Sequence, residues 1–365
     1  MELRGEHPNV HDQWRPWSEA ERLHVVAVYS NPLRWRSRRE HMNDFREHMA
    51  TSRNAVLHVV ELAYGDRPFE VTGAGNPLDI QLRTSCELWH KENLANIGVS
   101  RFPADWRYGA QVDSDFHFTR PDWALETIHQ LQHHAWVQLF SSYSALSGRH
   151  VPVRISPSFA WSYLHYRPGT SWKSRASAAP PSIGAASAPV SNAGNGKGSV
   201  AGLLRSASWP DNPGATGGAW AFTRQGFETV GGFLDCCILG SADWHMAFGL
   251  AREPDHSIEM RRCGPAYVSA IRHWQERAHR LEGDIGCVEN HAVHYFHGSY
   301  RLRGYGDRWQ VLKDNGYDPQ TDIQRDYQGV LVLSGNKPRL RDDIRAYMRS
   351  RDEDATELNG ERHLV

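Results

Sequence analysis

The carboxylates of Asp113 and Asp115, in residues 109–116, have the type and spacing to hold a small divalent cation. A short apolar run precedes them, and in a strand this spacing places both side chains on one face. Mg²⁺ and Mn²⁺ take oxygen ligands and keep open positions for phosphate oxygens. The alternative is a solvated turn, because Asp and Ser are favoured in turns. The pattern thus predicts either such a turn or a metal site in an enzyme that handles a diphosphate.

Two later groups of residues could complete such a site. Asp243 stands where a turn enters a predicted helix, so it is either a helix N-cap or a general base for an attacking hydroxyl. His291, His294 and His297 follow at intervals of three residues. In a continuous strand, His291 and His297 share one face and His294 lies on the other. His294 or His297 is a candidate metal ligand, and a hydrogen-bonded structural cluster is the alternative.

A glycine-punctuated segment lies between these groups, at residues 217–233. Glycines let the backbone approach a ligand closely, and Trp220 offers a flat apolar face of the kind on which sugars pack. A basic and aromatic patch at 301–309 suits phosphate and ring recognition, although a solvated loop is the alternative.

The elements that position these residues follow from hydrophobic periodicity. A strand at 24–29, an amphipathic helix at 34–50 and a strand at 55–62 predict a βαβ unit and a parallel sheet. Further predicted elements are strands at 69–72, 78–82 and 136–140, a helix at 88–97 closed by Gly98 at the C′ position, and a helix from Pro121 to about residue 135.

Composition bounds the class of protein. The chain has 365 residues, of which 40% are hydrophobic and 23% charged, with a net charge of −1, as in ordinary globular proteins without a global basic field. Five cysteines without a CxxC pair favour a reduced compartment. Neither a signal peptide nor a membrane-spanning run is predicted, so we expect a cytoplasmic protein with no membrane contact and no evident obligate protein partner. Neither a GxGxxG fingerprint nor a P-loop is present.

The chain divides by composition into an N-terminal arm at 1–22, a catalytic domain at 23–304 and a C-terminal extension at 305–365. Within the catalytic domain, residues 170–208 are rich in Ser, Ala, Gly and Pro, which is typical of a flexible insertion.

Taken in order, these features resemble a family-2-like nucleotide-sugar glycosyltransferase of the GT-A fold. The resemblance covers about residues 23–309, apart from the insertion. It implies an α/β fold with a mixed, mostly parallel, Rossmann-like sheet flanked by helices. The residues that carry it are the strand at 25–31, Glu61, the helix at 91–96, Asp113 and Asp115, Gly217-Gly218, residues 231–233, Asp243 and a late histidine.

The resemblance implies a role for each matching residue. Asp115, and less directly Asp113, would bind the Mn²⁺ or Mg²⁺ that holds the diphosphate of a UDP-sugar donor, with His294 or His297 as the late ligand. Asp243 would be the base of an inverting displacement, although the family often has an acidic pair where this chain has Ala242-Asp243. The donor would further contact Asn31, Arg34, Glu61, Lys91, Asn96, Gly217, Gly218 and Trp220.

The tail resembles that of bacteriophage glycosyltransferases, some of which are thought to act on 5-hydroxymethylpyrimidines in DNA. The leading acceptor is therefore 5-hydroxymethylcytosine in double-stranded DNA, with basic residues near Arg34 and in the insertion as candidate phosphate contacts. One alternative is the same chemistry on a saccharide or protein. Another is a nucleotide-sugar or DNA-binding module that has lost catalysis, as the missing carboxylate at Ala242 suggests.

Overall fold

The computed structural model of the protein describes Ser18 and residues 21–166, 213–259, 264–299, 302–304 and 308–355. The predicted insertion at 170–208, most of the N-terminal arm and the last ten residues of the tail lie outside the described residues.

The first three elements form the predicted βαβ unit. They are β1 (Leu23–Ser30), α1 (Arg36–Ala50) and β2 (Ala55–Tyr64). The strands are buried along almost their whole length, as expected for near-continuous apolar runs covered on both faces. They pair in parallel, with Val25 opposite Leu57, which confirms the predicted parallel pairing.

The remaining strands are β3 (Asp79–Thr84), β4 (Tyr108–Val112), β5 (Phe116–Phe118), β6 (Trp136–Gln138), β7 (Ser142–Leu146), β8 (Pro152–Pro157), β9 (Ala219–Thr223), β10 (Ile285–Cys287), β11 (His291–His294), β12 (Ile323–Arg325) and β13 (Leu331–Leu333). The remaining helices are α2 (Lys91–Val99), α3 (Trp123–Leu131), α4 (Phe159–Tyr166), α5 (Arg224–Val230), α6 (Ala242–Leu250), α7 (Pro254–Glu259), α8 (Pro265–Ala278), α9 (Arg308–Asp314) and α10 (Pro338–Ser350), with a 3₁₀ turn at His279–Leu281.

A seven-stranded sheet has the order β10-β6-β9-β4-β1-β2-β3. Its pairs are parallel except where β9 runs antiparallel to β4 and β6. The chain passes from β1 to β2 and β3 on one side and then returns to place β4 on the other side of β1, so the strand order reverses at β1 and β4. The predicted mixed, mostly parallel sheet is thereby confirmed. A four-stranded sheet of order β5-β11-β7-β8 and the β12-β13 hairpin complete the strands.

Helices cover both faces of the large sheet. Alternate residues of β1 point to opposite sides, so that Val25 joins the core under α1 and α3, and Val26 joins the core under α2 and α6. The C-terminal extension belongs to this second core, into which α10 inserts Leu340 and Ile344. Tyr317 also connects the extension to the segment between α5 and α6, because its hydroxyl donates to the carbonyl of Cys236 over 2.8 Å.

The sequence-based prediction for residues 69–72 is wrong, because they form a loop rather than a strand. The backbone amides of Val71 and Thr72 donate to the buried Glu61 carboxylate over 3.1 Å and 2.9 Å, which replaces a strand partner. The helix predicted at 121–135 is shorter at both ends, since α3 spans Trp123–Leu131.

Gly98 does not close α2, because the helix continues to Val99. The glycine instead permits close packing: a Cβ at Gly98 would lie 2.4 Å from the Cγ2 of Val26 and 2.9 Å from that of Val60. Its role is therefore to bring α2 against β1 and β2.

No helix among the described residues is long and apolar enough to cross a membrane.

Replacing Gly98 with alanine should lower the free energy of unfolding by about 1–3 kcal/mol, because the added methyl overpacks the junction of α2 with β1 and β2. Urea denaturation measures the change. Gly73→Ala is the matched control, since a Cβ there would meet no atom within 4 Å. Equal stability of the two variants would contradict the packing role of Gly98.

Candidate metal centre and cleft

The Asp113–Asp115 segment forms a tight turn between the two larger sheets. β4 ends at Val112, and the backbone N–H of Asp113 donates to the carbonyl of Gly218 over 2.8 Å. The N–H of Phe116 then donates to the carbonyl of Asp113 over 3.0 Å, and β5 begins. The predicted strand and the predicted turn are therefore both present, since the first carboxylate directly follows one strand and the second directly precedes another.

The pairing of β5 with β11 brings two histidines to Asp115. His294 lies opposite Phe116 in this antiparallel pair, and the N–H of Tyr295 donates to the carbonyl of Asp115 over 2.9 Å. The Nε2 atoms of His294 and His297 lie 3.5 Å and 3.3 Å from the Oδ2 of Asp115, and 3.2 Å from each other. Both predicted late histidines therefore meet Asp115.

The predicted division of the histidines between strand faces is wrong. It assumed a strand through 291–297, but β11 ends at His294 and the chain then bends, with Gly298 at a φ of +90°. His297 consequently returns to the side of His294. His291 instead bonds to the hydroxyls of Ser142 and Ser144 at 3.0 Å and 2.9 Å.

Asp115, His294 and His297 fit a divalent cation. Their candidate ligand atoms all lie within 4.8 Å of one another, and no other such group occurs in the described part of the chain. The Oδ1 of Asp115 is buried without a hydrogen-bond partner, although buried oxygens are normally satisfied. A cation would satisfy it. Imidazole and carboxylate together suit Mn²⁺, Fe²⁺ or Zn²⁺ better than Mg²⁺, which prefers oxygen ligands alone.

The protonation states also suit metal binding. Burial alone would raise the pKa of Asp115, but His294 and His297 outweigh it and hold the pKa well below its usual value. Burial, followed by the charge of Arg303, holds the pKa of His297 well below its usual value. Asp115 is therefore ionised and His297 neutral at pH 7, and these are the forms that bind metals.

Asp113 has different partners. Its Oδ1 lies 2.6 Å from the Nζ of Lys91 and accepts a hydrogen bond of 2.8 Å from the Nε2 of Gln111. Burial raises the pKa of Asp113, and the charge of Lys91 opposes that rise. The structure thus pairs Asp113 with a lysine and leaves the metal triad to Asp115.

The triad opens into a cleft of about 560 Å³ at the carboxyl ends of β1 and β4. Of the predicted site residues, it is lined by Lys91, Asp113, Asp115, Gly217, Gly218, Asp243, His294 and His297. A cleft at the point where the strand order of an open α/β sheet reverses is the usual place for a ligand.

Asp243 faces this cleft from the first turn of α6. It is not the N-cap, because that position is held by Ser241 with a φ of +76°. The hydroxyl of Thr216 donates to its Oδ2 over 3.3 Å. A Cβ at Gly217 would lie only 2.5 Å from the same oxygen, so glycine is what lets the carboxylate approach this backbone.

Three other predicted donor contacts do not line the cleft and bond within the protein. Asn31 closes the turn after β1 by bonding to both the N–H and the carbonyl of Trp35 at 2.9 Å. Glu61 binds the loop at 70–72, as described above. Asn96 bonds to the N–H and carbonyl of Phe233 at 2.8 Å and 2.9 Å.

Two further predicted contacts also lie away from the main cleft. Trp220 is only 6% exposed, and its indole N–H donates to the carbonyl of Thr216 over 2.7 Å, so it supports the floor of the cleft. Arg34 is exposed in the turn before α1, with a φ of +60°.

Sequence reasoning missed a buried ion-pair group on the cleft wall. Arg38 makes two hydrogen bonds to Glu353, at 2.6 Å and 2.8 Å, and Arg351 makes a third at 2.9 Å. Burial would raise the pKa of Glu353, but the two arginines hold it well below its usual value. More than 300 residues separate Arg38 from Glu353, so no local pattern could have indicated the pairing.

Glu92 was missed as well. It is 5% exposed, in the first turn of α2, and it lines the cleft close to Lys91 and Asp243. Burial raises its pKa to about 8, the charge of Lys91 opposes the rise, and Asp243 adds to it. The local signal, a Lys-Glu pair at the start of a helix, is common on solvated helices and did not distinguish a buried acid.

No model of a known protein family matches the chain, and no curated protein matches it significantly.

Titration with Mn²⁺, followed by calorimetry, should show one site per chain that Asp115→Asn and His297→Ala each weaken. The expected loss exceeds about a hundredfold, because even outer partners of metal ligands contribute ten- to a hundredfold. His129→Ala is the control, since that side chain is 48% exposed on α3. Binding that survives both triad substitutions would place the cation elsewhere.

Glu92→Gln should stabilise the protein increasingly as pH rises. The pKa of Glu92 is raised to about 8 in the folded state from an ordinary value of 4.5, so its stabilising contribution is lost as pH climbs through that interval. A glutamine at position 92 does not ionise, so the variant does not lose stability over this pH range. Urea denaturation between pH 4.5 and 8.5 should therefore show a growing stability advantage for the variant, and a pH-independent difference would contradict the shift.

Proposed function

We propose that the protein is a metal-dependent glycosyltransferase with a GT-A-type fold. It would transfer a hexose from a nucleotide sugar, UDP-glucose or a similar donor, to a hydroxyl acceptor. The observation that supports this most strongly is that the Asp115–His294–His297 triad and the Asp243 carboxylate line one cleft at the reversal point of the sheet.

Each residue has a task in this reaction. Asp243 accepts the proton of the acceptor hydroxyl as its oxygen bonds to the anomeric carbon and the bond from that carbon to the diphosphate breaks. Gly217 and Gly218 leave room for the sugar beside that carboxylate. Lys91 adds a positive charge near the diphosphate side, where it is held by Asp113. A cation held by Asp115, His294 and His297 supplies charge neutralisation for the leaving diphosphate.

The donor set favours Mn²⁺ among the two metals that the resemblance implies. Two of three candidate ligands are imidazoles, which Mg²⁺ accepts poorly. The lowered pKa of His297 keeps one of these imidazoles free of a proton at neutral pH.

For the acceptor, we propose 5-hydroxymethylcytosine in double-stranded DNA. One support is the resemblance of the tail to that of bacteriophage glycosyltransferases. The other is a set of exposed arginines, Arg34, Arg36 and Arg39, that neighbour Arg38 in sequence, and Arg38 lines the cleft. Arginines at the rim suit DNA phosphates, and a target base reaches a deep site by leaving the stack. A saccharide or protein acceptor is the competing proposal.

A second candidate function has one observation in its favour. Two histidines and one carboxylate also hold Fe²⁺ in enzymes that activate oxygen. Fe²⁺-dependent oxygen consumption, with no release of UDP from any nucleotide sugar, would favour this function over glycosyl transfer.

The test of transfer uses DNA with and without hydroxymethylated cytosine, UDP-glucose and Mn²⁺, with mass spectrometry of the released nucleosides. A hexose mass shift on the modified nucleoside alone is expected. UDP release that requires an oligosaccharide or protein would reassign the acceptor, and absence of turnover with every nucleotide sugar would overturn the proposal.

Asp243→Asn should lower kcat by about 10²–10⁴, the usual contribution of a general base, and leave donor binding in place. Glu228→Gln is the matched control, because that side chain is 61% exposed. Full turnover by the Asp243 variant would remove this residue from the chemistry.

A further inference from the structure

A buried acid, Glu92, lines the same cavity as Asp243 and has no side-chain hydrogen-bond donor of its own in the described ranges. Glu92 is 5% exposed, and its carboxyl group accepts a hydrogen bond from its own backbone N–H but none from a side chain in the described ranges. The adjacent cation, Lys91, lies 2.6 Å from the carboxylate of Asp113. A single backbone donor leaves much of a buried carboxyl group's hydrogen-bonding capacity unused, which is costly and needs an explanation.

A small cavity beneath the cleft joins the two acids. It measures about 20 Å³, which is enough for a single water molecule. Four polar side chains line it, those of Lys91, Glu92, Gln111 and Asp243. Its remaining lining residues are apolar, apart from Gly217 and the indole N–H groups of Trp136 and Trp220. A water there has the two to four polar partners that buried waters normally have.

We propose that one water molecule occupies this cavity and links the carboxyl group of Glu92 to the carboxylate of Asp243, which makes Glu92 a positioning residue for Asp243. The consequence for turnover rests on the proposed role of Asp243 as general base, whereas the link itself does not.

The protonation state of Glu92 determines which group donates and which accepts in the water-mediated link. Burial raises the pKa of Glu92 to about 8, Lys91 opposes that rise, and Asp243 and Asp113 add to it. At neutral pH, Glu92 therefore carries a proton and donates it in a hydrogen bond to the water, which in turn donates to the carboxylate oxygen of Asp243. Together with the hydroxyl of Thr216, this holds the carboxylate at the cleft without neutralising it.

Carbon-13 NMR of glutamate carboxyl groups tests the link without any activity. The signal that Glu92→Gln removes should titrate near pH 8, and Asp243→Asn should move that titration toward the ordinary value of 4.5. An ordinary titration in the unmodified protein, or one that Asp243→Asn leaves in place, would overturn the inference.

Steady-state kinetics test whether Glu92 positions Asp243 for turnover. Glu92→Met keeps the side-chain volume but cannot donate, and it should lower kcat by about ten- to a hundredfold, as loss of an orienting partner does, with little change in KM for the donor. Glu92→Gln can still donate and should recover part of that loss. We expect kcat of the unmodified protein to fall above about pH 8, where Glu92 loses its proton, and Glu92→Gln should remove this fall.

The outcomes separate the two proposals. If no nucleotide sugar turns over, the proposed function fails, and if Asp243→Asn turns over normally, the role of Asp243 as base fails; in both cases the NMR titration still tests the water link. If Asp243→Asn is inactive while Glu92→Met matches the unmodified protein in kcat and in pH profile, the positioning role of Glu92 is wrong.

Discussion

The cleft depends on one half-buried carboxylate held between two imidazoles. Asp115 follows the central strand β4 by three residues, and His294 and His297 reach it from β11, which belongs to the other sheet. The contact therefore joins the two larger sheets at the carboxyl end of β4. Without a cation, the buried Oδ1 of Asp115 has no partner, so the same contact that orders the fold creates a demand for positive charge.

Two of the other acidic residues of the cleft form ion pairs. Lys91 engages Asp113, and Arg38 with Arg351 engages Glu353. These pairs connect α2 to the end of β4 and the C-terminal extension to α1, and both line the cleft. Asp243 accepts a hydrogen bond from the Thr216 hydroxyl and faces the cleft, where it is placed to accept the proton of a bound hydroxyl in the proposed reaction.

Sequence reasoning reached the features that depend on local patterns. Hydrophobic runs predicted β1, α1 and β2 and their parallel pairing, and the spacing of Asp113 and Asp115 predicted a site at the end of a strand. Reasoning from residues alone left His294 and His297 as alternatives. The structure unites them because β11 ends at His294, and strand ends depend on tertiary pairing that periodicity does not report.

Features that depend on contacts between distant residues could not be predicted from the sequence. The same residue type, glutamate, stabilises a loop at position 61, pairs with two arginines at position 353 and lies buried with a raised pKa at position 92. Only the packing of α2 against the sheet distinguishes the last of these from a solvated helix residue. Of the predicted donor contacts, Asn31 bonds to the backbone of Trp35 in the next turn, whereas Asn96 bonds to the backbone of Phe233, a distant partner that local sequence does not reveal.

Anomalous X-ray diffraction from crystals soaked in Mn²⁺ and UDP tests the central claim most directly. We predict one strong manganese peak within bonding distance of the Asp115 carboxylate and of the Nε2 atoms of His294 and His297, with the diphosphate of UDP on its open side. A manganese peak on Asp113 or Asp243 instead, or a bound diphosphate with no metal at the triad, would contradict the account.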